Sequence, residues 1–319
     1  MMDNTFAAIP IFVAVVECGS FSSAAEKLSI TKSAVSKRVT QLEDELGIRL
    51  LNRTTRKLSL TEAGERYYYH VSQALSFAQQ GSDAVTELQG EPQGKLKITA
   101  PMSFGVLHVA TLIAEFLTRY PKVEIDLQLE DQMVDLVQGG FDLAIRIGHL
   151  PVSNLVAKRL VRCRSVLCCS PDYLSRHPAP QKPADLLQHN CLVYSYFRGG
   201  SEWTFTQNGA DFKVIPTGNL SVNNSEAIRR ALLDGLGIGQ LPTFLVSKDI
   251  RAGKLHAIMT DYPLPEHAIY AVFPERKHLP HKVRAFMAFI SEKLGTDQPY
   301  WDQGIFCAVN LRKPERTVI

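Results

Sequence analysis

The chain has 319 residues, 45% of them hydrophobic and 21% charged, with a formal net charge of +3. That is an ordinary globular composition, long enough for about two or three domains, and it excludes a disordered or low-complexity chain. So small a net charge singles out no partner, but its distribution does: Lys27 to Lys57 carries eight basic residues against the three acids Glu43, Asp44 and Glu45.

The six cysteines show no CxxC pair and no zinc spacing. They read as reduced thiols of a cytosolic protein. The vicinal Cys168-Cys169 is a candidate redox pair, but a strand interior suits it better. The start MMDNTF has no basic stretch ahead of an apolar one, so no leader and a cytoplasmic location are expected. No apolar run is expected to span a bilayer.

Residues 7–18 read as a first helix with Phe12, Val15 and Val16 inward. Pro10 is placed in its first turn, where a missing N–H costs little. Residues 22–28 form a short second helix capped by Ser20 or Ser22, and small Ala24 and Ala25 let another helix cross closely. The third helix, from Thr31 to Leu46, has two faces. Val35, Val39, Leu42 and Leu46 make an apolar stripe, and Ser33, Ser36, Lys37, Thr40 and Gln41 lie opposite. Thr31 can cap it and Gly47 can end it. The acidic run at 43–45 would repel phosphate, so only the N-terminal half is expected to approach DNA. Any surface helix has a polar face; what distinguishes this one is its neighbours. Two short helices, a tight turn and this helix make a helix-turn-helix.

Residues 48–51 and 57–60 can pair as a ribbon, with Arg53 and Arg56 at its tip. Such arginines fit a minor groove or phosphates. Thr61 then caps a helix of about 28 residues, roughly 42 Å long. Tyr67, Val71, Ala74, Ala78, Val85 and Leu88 follow an alternating heptad spacing, with Gly81 on the seam. This predicts a dimerisation helix, against the alternative of a helix packed on its own domain.

After a Gly/Pro-rich linker at 90–94 the texture changes. Strands are expected at 95–100, 123–129, 141–147, 166–170, 191–194, 237–241 and 269–273. Helices are expected at 104–120, 133–138, 171–176, 183–188, 224–234 and 281–294. In the first of them, Leu112, Ile113, Phe116 and Leu117 face inward. The alternation argues for a parallel sheet with crossovers. The last 25 residues show no pattern, although Trp301 and Phe306 suggest that part of them packs.

Several catalytic readings fail. GLGIG at 235–239 runs from helix to strand, the reverse of a dinucleotide loop. No GxSxG occurs, and the histidines and cysteines form no metal pattern. No enzyme activity, cofactor or metal is expected. A solute-binding protein would need a leader and no basic helix. An oxidoreductase reading meets the reversed glycine loop.

The stretch FVAVVECGSFSSAAEKLSITKSAVSKRVTQLEDELGIRLLNRTTRKLSLTEAGE carries A-A-x-x-L, SAVS, Q-L-E-x-x-L-G-x-x-L-x-x-R and L-T-x-A-G. With APMSFG, FDLAIRIG, SPDYL and GLGIGQLP further on, the chain resembles the LysR-type transcriptional regulators over residues 6–294. The wing and SPDYL are similar to the CrgA-like subgroup. It departs at Thr31-Lys32, where serine or proline is usual before SAVS.

The resemblance implies three parts and a tail. An N-terminal all-α winged helix-turn-helix would span 1–60 and a long dimerisation helix 61–90. A C-terminal α/β effector domain, two-lobed like type 2 periplasmic binding proteins, would span 91–295. Its lobe I would be 95–164 and 267–294, its lobe II 165–266, and 296–319 a tail. Implied partners are double-stranded DNA, a second and fourth copy (homodimer and homotetramer), a small-molecule effector and RNA polymerase, with no membrane. The target would be an interrupted palindrome upstream of regulated genes. By position Lys32, Ser33, Ser36 and Lys37 match residues that contact bases or phosphates, and Arg53 the wing arginine, with Arg56 beside it. Lys37 stands where many members have arginine, which weakens the expectation of bidentate guanine reading. The effector cleft is expected where strand ends face each other. Four places qualify: Met102, Ser103 and Phe104; Arg146 with Gly148; Ser195, Phe197 and Arg198; and Asn223 with Leu241 and Pro242. The helix start at Ser103 favours an anion, with Arg146 or Arg198 as its cation, so a small carboxylate is the expected effector; the alternative is a DNA-binding protein without effector, which a cleft packed with large apolar side chains would favour.

Overall fold

The computed structural model describes residues 2–53, 58–86, 90–196, 202–207, 210–275, 279–295 and 298–305. It forms two compact units, residues 1–89 with 135–140 and residues 90–134 with 141–319.

In the first unit α1 (Met2–Cys18) and α2 (Phe21–Lys27) meet at Gly19, whose φ of +65° lets the chain turn sharply. Ser20 is the cap of α2, its side chain accepting from Ser23 N–H. α1 begins earlier than expected, so Pro10 lies in its interior. The carbonyl that Pro10 cannot pair is that of Phe6, which is exposed, so water can satisfy it. α3 (Lys32–Leu46) starts at Thr31, whose hydroxyl accepts from Ala34 N–H, and ends at Gly47 with φ +67°. Val35, Val39 and Leu42 are buried with Phe12, Val15, Ala24 and Ala25. Leu46, expected to complete that stripe, is exposed. A short ribbon follows, β1 (Leu51–Arg53) and β2 (Leu58–Leu60), with Leu51 opposite Leu60.

α4 (Glu62–Thr86) is 25 residues long, about 38 Å at 1.5 Å per residue. Thr61 caps it by accepting from Gly64 N–H at 2.9 Å. A Cβ on Gly64 would stand 2.0 Å from the Leu50 carbonyl oxygen, so this residue must be glycine for α4 to sit against the ribbon.

The second unit holds two five-stranded sheets. The first has β3 (Gly94–Ala100), β4 (Val123–Leu129), β5 (Leu143–Ile147), β6 (Leu155–Cys163) and β14 (His267–Pro274), in the order β4-β3-β5-β14-β6. The second has β7 (Ser165–Cys169), β8 (Cys191–Tyr194), β11 (Ser221–Val222), β12 (Ile238–Pro242) and β13 (His256–Ile258), in the order β11-β8-β12-β7-β13. Neither sheet is wholly parallel. β14 runs antiparallel to β5 and β6, and β7 antiparallel to β12 and β13. The reason is that the chain crosses between lobes twice, at Arg164 and again before β14, and re-enters each sheet from the hinge side.

Helices cover the sheets. α5 (Met102–Phe104) continues through a π-helical turn at Gly105–Val109 into α6 (Ala110–Arg119). By length and composition Met102–Arg119 could cross a membrane, contrary to the sequence expectation. Here Phe104, Val109 and Phe116 are buried in the domain core with β3 residues Leu96 and Ile98. The helix expected at 133–138 is a run of turns. The Asp135 carboxylate accepts from Val137 and Gln138 N–H, both at 2.9 Å, and so holds an Asx turn instead. α7 (Pro171–Arg176), α8 (Ser225–Leu233) and α10 (His281–Leu294) fall where expected. β6, β13, a hairpin of β9 (Trp203–Gln207) and β10 (Ala210–Val214), and α9 (Thr243–Arg251) were not foreseen.

Candidate DNA-binding surface and effector cavity

On α3 the residues away from the core are Lys32, Ser33, Lys37 and Arg38, all exposed, with Ser36 half-buried beside them. Thr31 and Ser33 hydroxyls lie 3.0 Å apart, so the cap also orients a serine of this face. The surface is small and basic at the start of the helix, as a helix entering a major groove requires. Arg53 ends β1; Arg56 lies outside the described residues.

The expectation of a phosphate-repelling acidic run needs one correction. Glu43 points inward and is 2% exposed. Its carboxylate accepts from Leu50 N–H at 2.9 Å, Leu51 N–H at 3.0 Å and Arg49 Nη1 at 2.8 Å. It therefore fixes the start of the ribbon to the recognition helix. Asp44 and Glu45 remain exposed.

The proposed dimerisation seam divides. Tyr67 and Val71 belong to the first unit's own core, where Tyr67 meets the Phe12 ring edge-on at 5.5 Å. Ala74, Ala78 and Gly81 are exposed, and so is Phe77, which heptad counting passed over. Residues 74, 77, 78 and 81 share one helical face. Val85 lies in α4; Leu88 is outside the described residues.

Between the two sheets of the second unit is a cavity of about 260 Å³. Ser103, Phe104, Arg146, Gly148 and Pro242 line it, so the structure brings these five expected residues together. Leu241 does not line it: along β12, Gln240 and Pro242 face the cavity and Leu241 the core, where it is 1% exposed, as strand alternation requires. Met102, Ser195 and Asn223 are exposed and outside the lining. Phe197 and Arg198 lie outside the described residues.

Arg146 is no exposed strand end; it is 6% exposed. Burial lowers its pKa, while Glu130 and Asp131 raise it, and a guanidinium stays charged regardless. Its hydrogen bonds to Thr99 Oγ1 and the Ile145 carbonyl are long, 3.4 Å each. Two further polar atoms of the lining are buried without a partner among the described residues: Ser103 Oγ on the first lobe and Gln240 Oε1 on the second.

Sequence reasoning missed much of the lining, including Asp131, Tyr194, Tyr196, Trp203, Gln240 and His267. Asp131 accepts from Met102 N–H at 2.9 Å and hydrogen-bonds the Tyr194 hydroxyl of the other lobe. Burial, and then that carboxylate, push the Tyr194 pKa up. Gln132 Nε2 donates to Tyr196 OH at 3.1 Å, again across the lobes. His267 stands 5.6 Å from His149, ring edge to face, and burial and then that neighbour lower its pKa. An apolar wall of Phe104, Trp203 and Phe244 completes the cavity.

The thiols of Cys168 and Cys169 are buried, and burial drives their pKa upward, to about 12 for Cys169. That removes the thiolate a redox pair needs. Among the described residues no group of His, Cys, Asp and Glu could hold a metal ion.

The family model for the bacterial regulatory helix-turn-helix protein, lysR family, matches residues 6–65. The LysR substrate binding domain model matches residues 89–295. The chain belongs to the LysR family of transcriptional regulators. It is 38% identical over 286 residues to the HTH-type transcriptional regulator PtxR of Pseudomonas aeruginosa, covering 90% of this chain and 92% of that one. The structure of CrgA from Neisseria meningitidis matches with TM-score 0.59 at 34% identity, covering 91% and 98% of the two chains. The full-length structure of the Vibrio cholerae virulence activator AphB matches with TM-score 0.60 at 30% identity, covering 89% and 97%. In this LysR-type regulator the winged helix-turn-helix carries DNA binding and the two-lobed domain is its effector-binding part.

Proposed function

We propose that this regulator binds an interrupted palindrome upstream of its target genes as a homodimer, with two dimers forming a tetramer, in the bacterial cytoplasm. Lys32, Ser33, Ser36 and Lys37 enter the major groove and Arg53 the neighbouring minor groove. The exposed face of Ala74, Phe77 and Ala78 on α4 supplies the pairing surface. A mobility-shift titration on the DNA upstream of this gene, repeated across salt, tests it. Salt-sensitive binding over two groove faces is expected; binding with no sequence preference at any salt overturns it.

The effector is a small carboxylate seated between the lobes. The observation that carries this is Arg146, a buried cation on the cavity wall whose hydrogen bonds are all long. A buried charge gains most from an ionic partner. Ser103 Oγ can add a second donor to the same anion, and Gln240 Oε1 asks for a donor on the ligand's other end. Phe104, Trp203 and Phe244 suit an apolar or aromatic body. Calorimetry with benzoate and its neutral isostere benzamide separates charge from shape. Benzoate is expected to bind at least about tenfold tighter, and Arg146→Met to erase the difference; equal affinities would exclude an anion-selective pocket.

A further inference from the structure

The matched effector domain ends at residue 295, and beyond it the structure describes residues 298–305. Gly295, with φ +80°, turns the chain off α10, and a 3-10 turn at Tyr300–Asp302 follows, ended by Gly304 at φ +81°. This short strap lies on the hinge, where the chain passes from β6 to β7 through Arg164.

It holds both lobes. On the first, Tyr300 OH is 2.5 Å from His108 Nδ1, and the Trp301 ring is 4.7 Å from His108 and 5.9 Å from Phe104. On the second, Trp301 is 6.2 Å from Phe244, and Arg251 Nη1 donates to the carbonyls of Trp301 at 3.2 Å and Gln303 at 2.9 Å. His108 Nε2 donates to the Phe244 carbonyl at 3.2 Å, so the two lobes also meet directly under the strap. Phe104 and Phe244 line the cavity on their other side. Trp301 thus stands directly behind the cavity floor.

The docking is apolar in strength and incomplete in polarity. Trp301 is 1% exposed and Asp302 2%. Yet Trp301 Nε1 has no hydrogen-bond partner among the described residues, and the Asp302 carboxylate has only a weak contact from the Thr243 hydroxyl. Each unpaired buried polar atom opposes docking and favours release to water. Burial raises the Asp302 pKa, against lesser lowering by Thr243, Arg164 and Arg162. One aromatic anchor, two flanking glycines and poorly paired buried polar atoms describe a segment that can come off without unfolding what it covers.

We propose that residues 299–305 are a releasable latch on the hinge, which when docked braces Phe104 and Phe244 and so holds the effector cavity closed from behind. Native-state hydrogen exchange on the full chain tests this, at rising sub-denaturing urea, beside Trp301→Ala and a chain ending at Gln298. Amides of 300–305 are expected to exchange roughly a hundredfold faster than those of β5, with no urea dependence, as local opening does. Both variants should speed exchange in 104–109 and 243–251 about tenfold and leave β5 unchanged. If 300–305 exchanges at the rate and urea dependence of β5, the strap is ordinary core and no latch. Faster exchange of β5 itself in the variants, or unchanged exchange at 104–109 and 243–251, equally overturns the proposal. None of these outcomes depends on which ligand the cavity takes.

Discussion

Glu43 looks like one acid of three on a helix end, and its neighbours Asp44 and Glu45 are indeed exposed. What sets it apart is reach: from the last turns of α3 it meets the two backbone N–H groups that begin the ribbon. Removing it leaves those donors buried and unpaired, at about 1–3 kcal/mol each. The Arg49 contact adds little, since that arginine is mostly exposed. Glu43→Ala should therefore destabilise the winged unit by about 2–6 kcal/mol, read as a lower urea midpoint with unchanged slope. Arg49→Ala should shift it by less than about 1 kcal/mol. Gly64 is the companion case: any Cβ there strikes the Leu50 carbonyl at 2.0 Å. Gly64→Ala should cost about 1–3 kcal/mol or more, although alanine is the better helix former, and an equal or raised midpoint would refute the close approach.

At the scale of elements, the helix-turn-helix was legible because its caps and stripe are local: Thr31, Gly47, Val35, Val39 and Leu42 signal within a few residues. α9 was not. Thr243 to Ser247 and Asp249 are all buried, so no polar face marks its period. β6 was hidden by its solvated first half, and Leu241 was misplaced only because strand phase cannot be read without a partner. In the cavity Arg146 was legible as a charge at a strand end; Gln240, Tyr194 and Asp131 were not, since the lobes that bring them together are far apart in sequence. His108 shows what such an assembly does to a side chain. Enclosed by Phe104, Phe244, Tyr300 and Trp301, it has its pKa lowered by burial from 6.5 to about 4. The Phe244 carbonyl can only accept, so Nε2 keeps the proton and Nδ1 accepts from Tyr300. Between pH 6.5 and about 4 the unfolded chain binds a proton that the folded chain refuses, so stability falls as pH drops through that window. The full loss is about 3 kcal/mol. His108→Asn should flatten this part of the stability–pH curve relative to the parent; parallel curves would mean the imidazole titrates normally in the fold.

At the scale of the whole molecule, the proposed function ties DNA binding and self-association together through α4. In the proposed assembly the basic residues at the start of α3 contact phosphates of one half-site, and a paired α4 doubles the number of contacts held by one binding event. Since the logarithm of affinity falls with the logarithm of salt in proportion to the phosphates neutralised, about −0.9 per phosphate, the slope counts protomers on the DNA. Phe77 is 67% exposed on a face shared with Ala74, Ala78 and Gly81, and it lies away from the buried Tyr67–Val71 end that the winged unit needs. Phe77→Glu should then break pairing without unfolding that unit: helix content retained, sedimentation shifted to monomer, and the salt slope reduced by about half. Lys37→Ala in the paired protein should instead lower the slope by about two, one phosphate from each protomer, with the oligomer intact. Were Phe77→Glu to keep both its assembly and its slope, the exposed stripe of α4 would not be the pairing surface. Were it to lose assembly while keeping the full slope, a single protomer would already be making every phosphate contact.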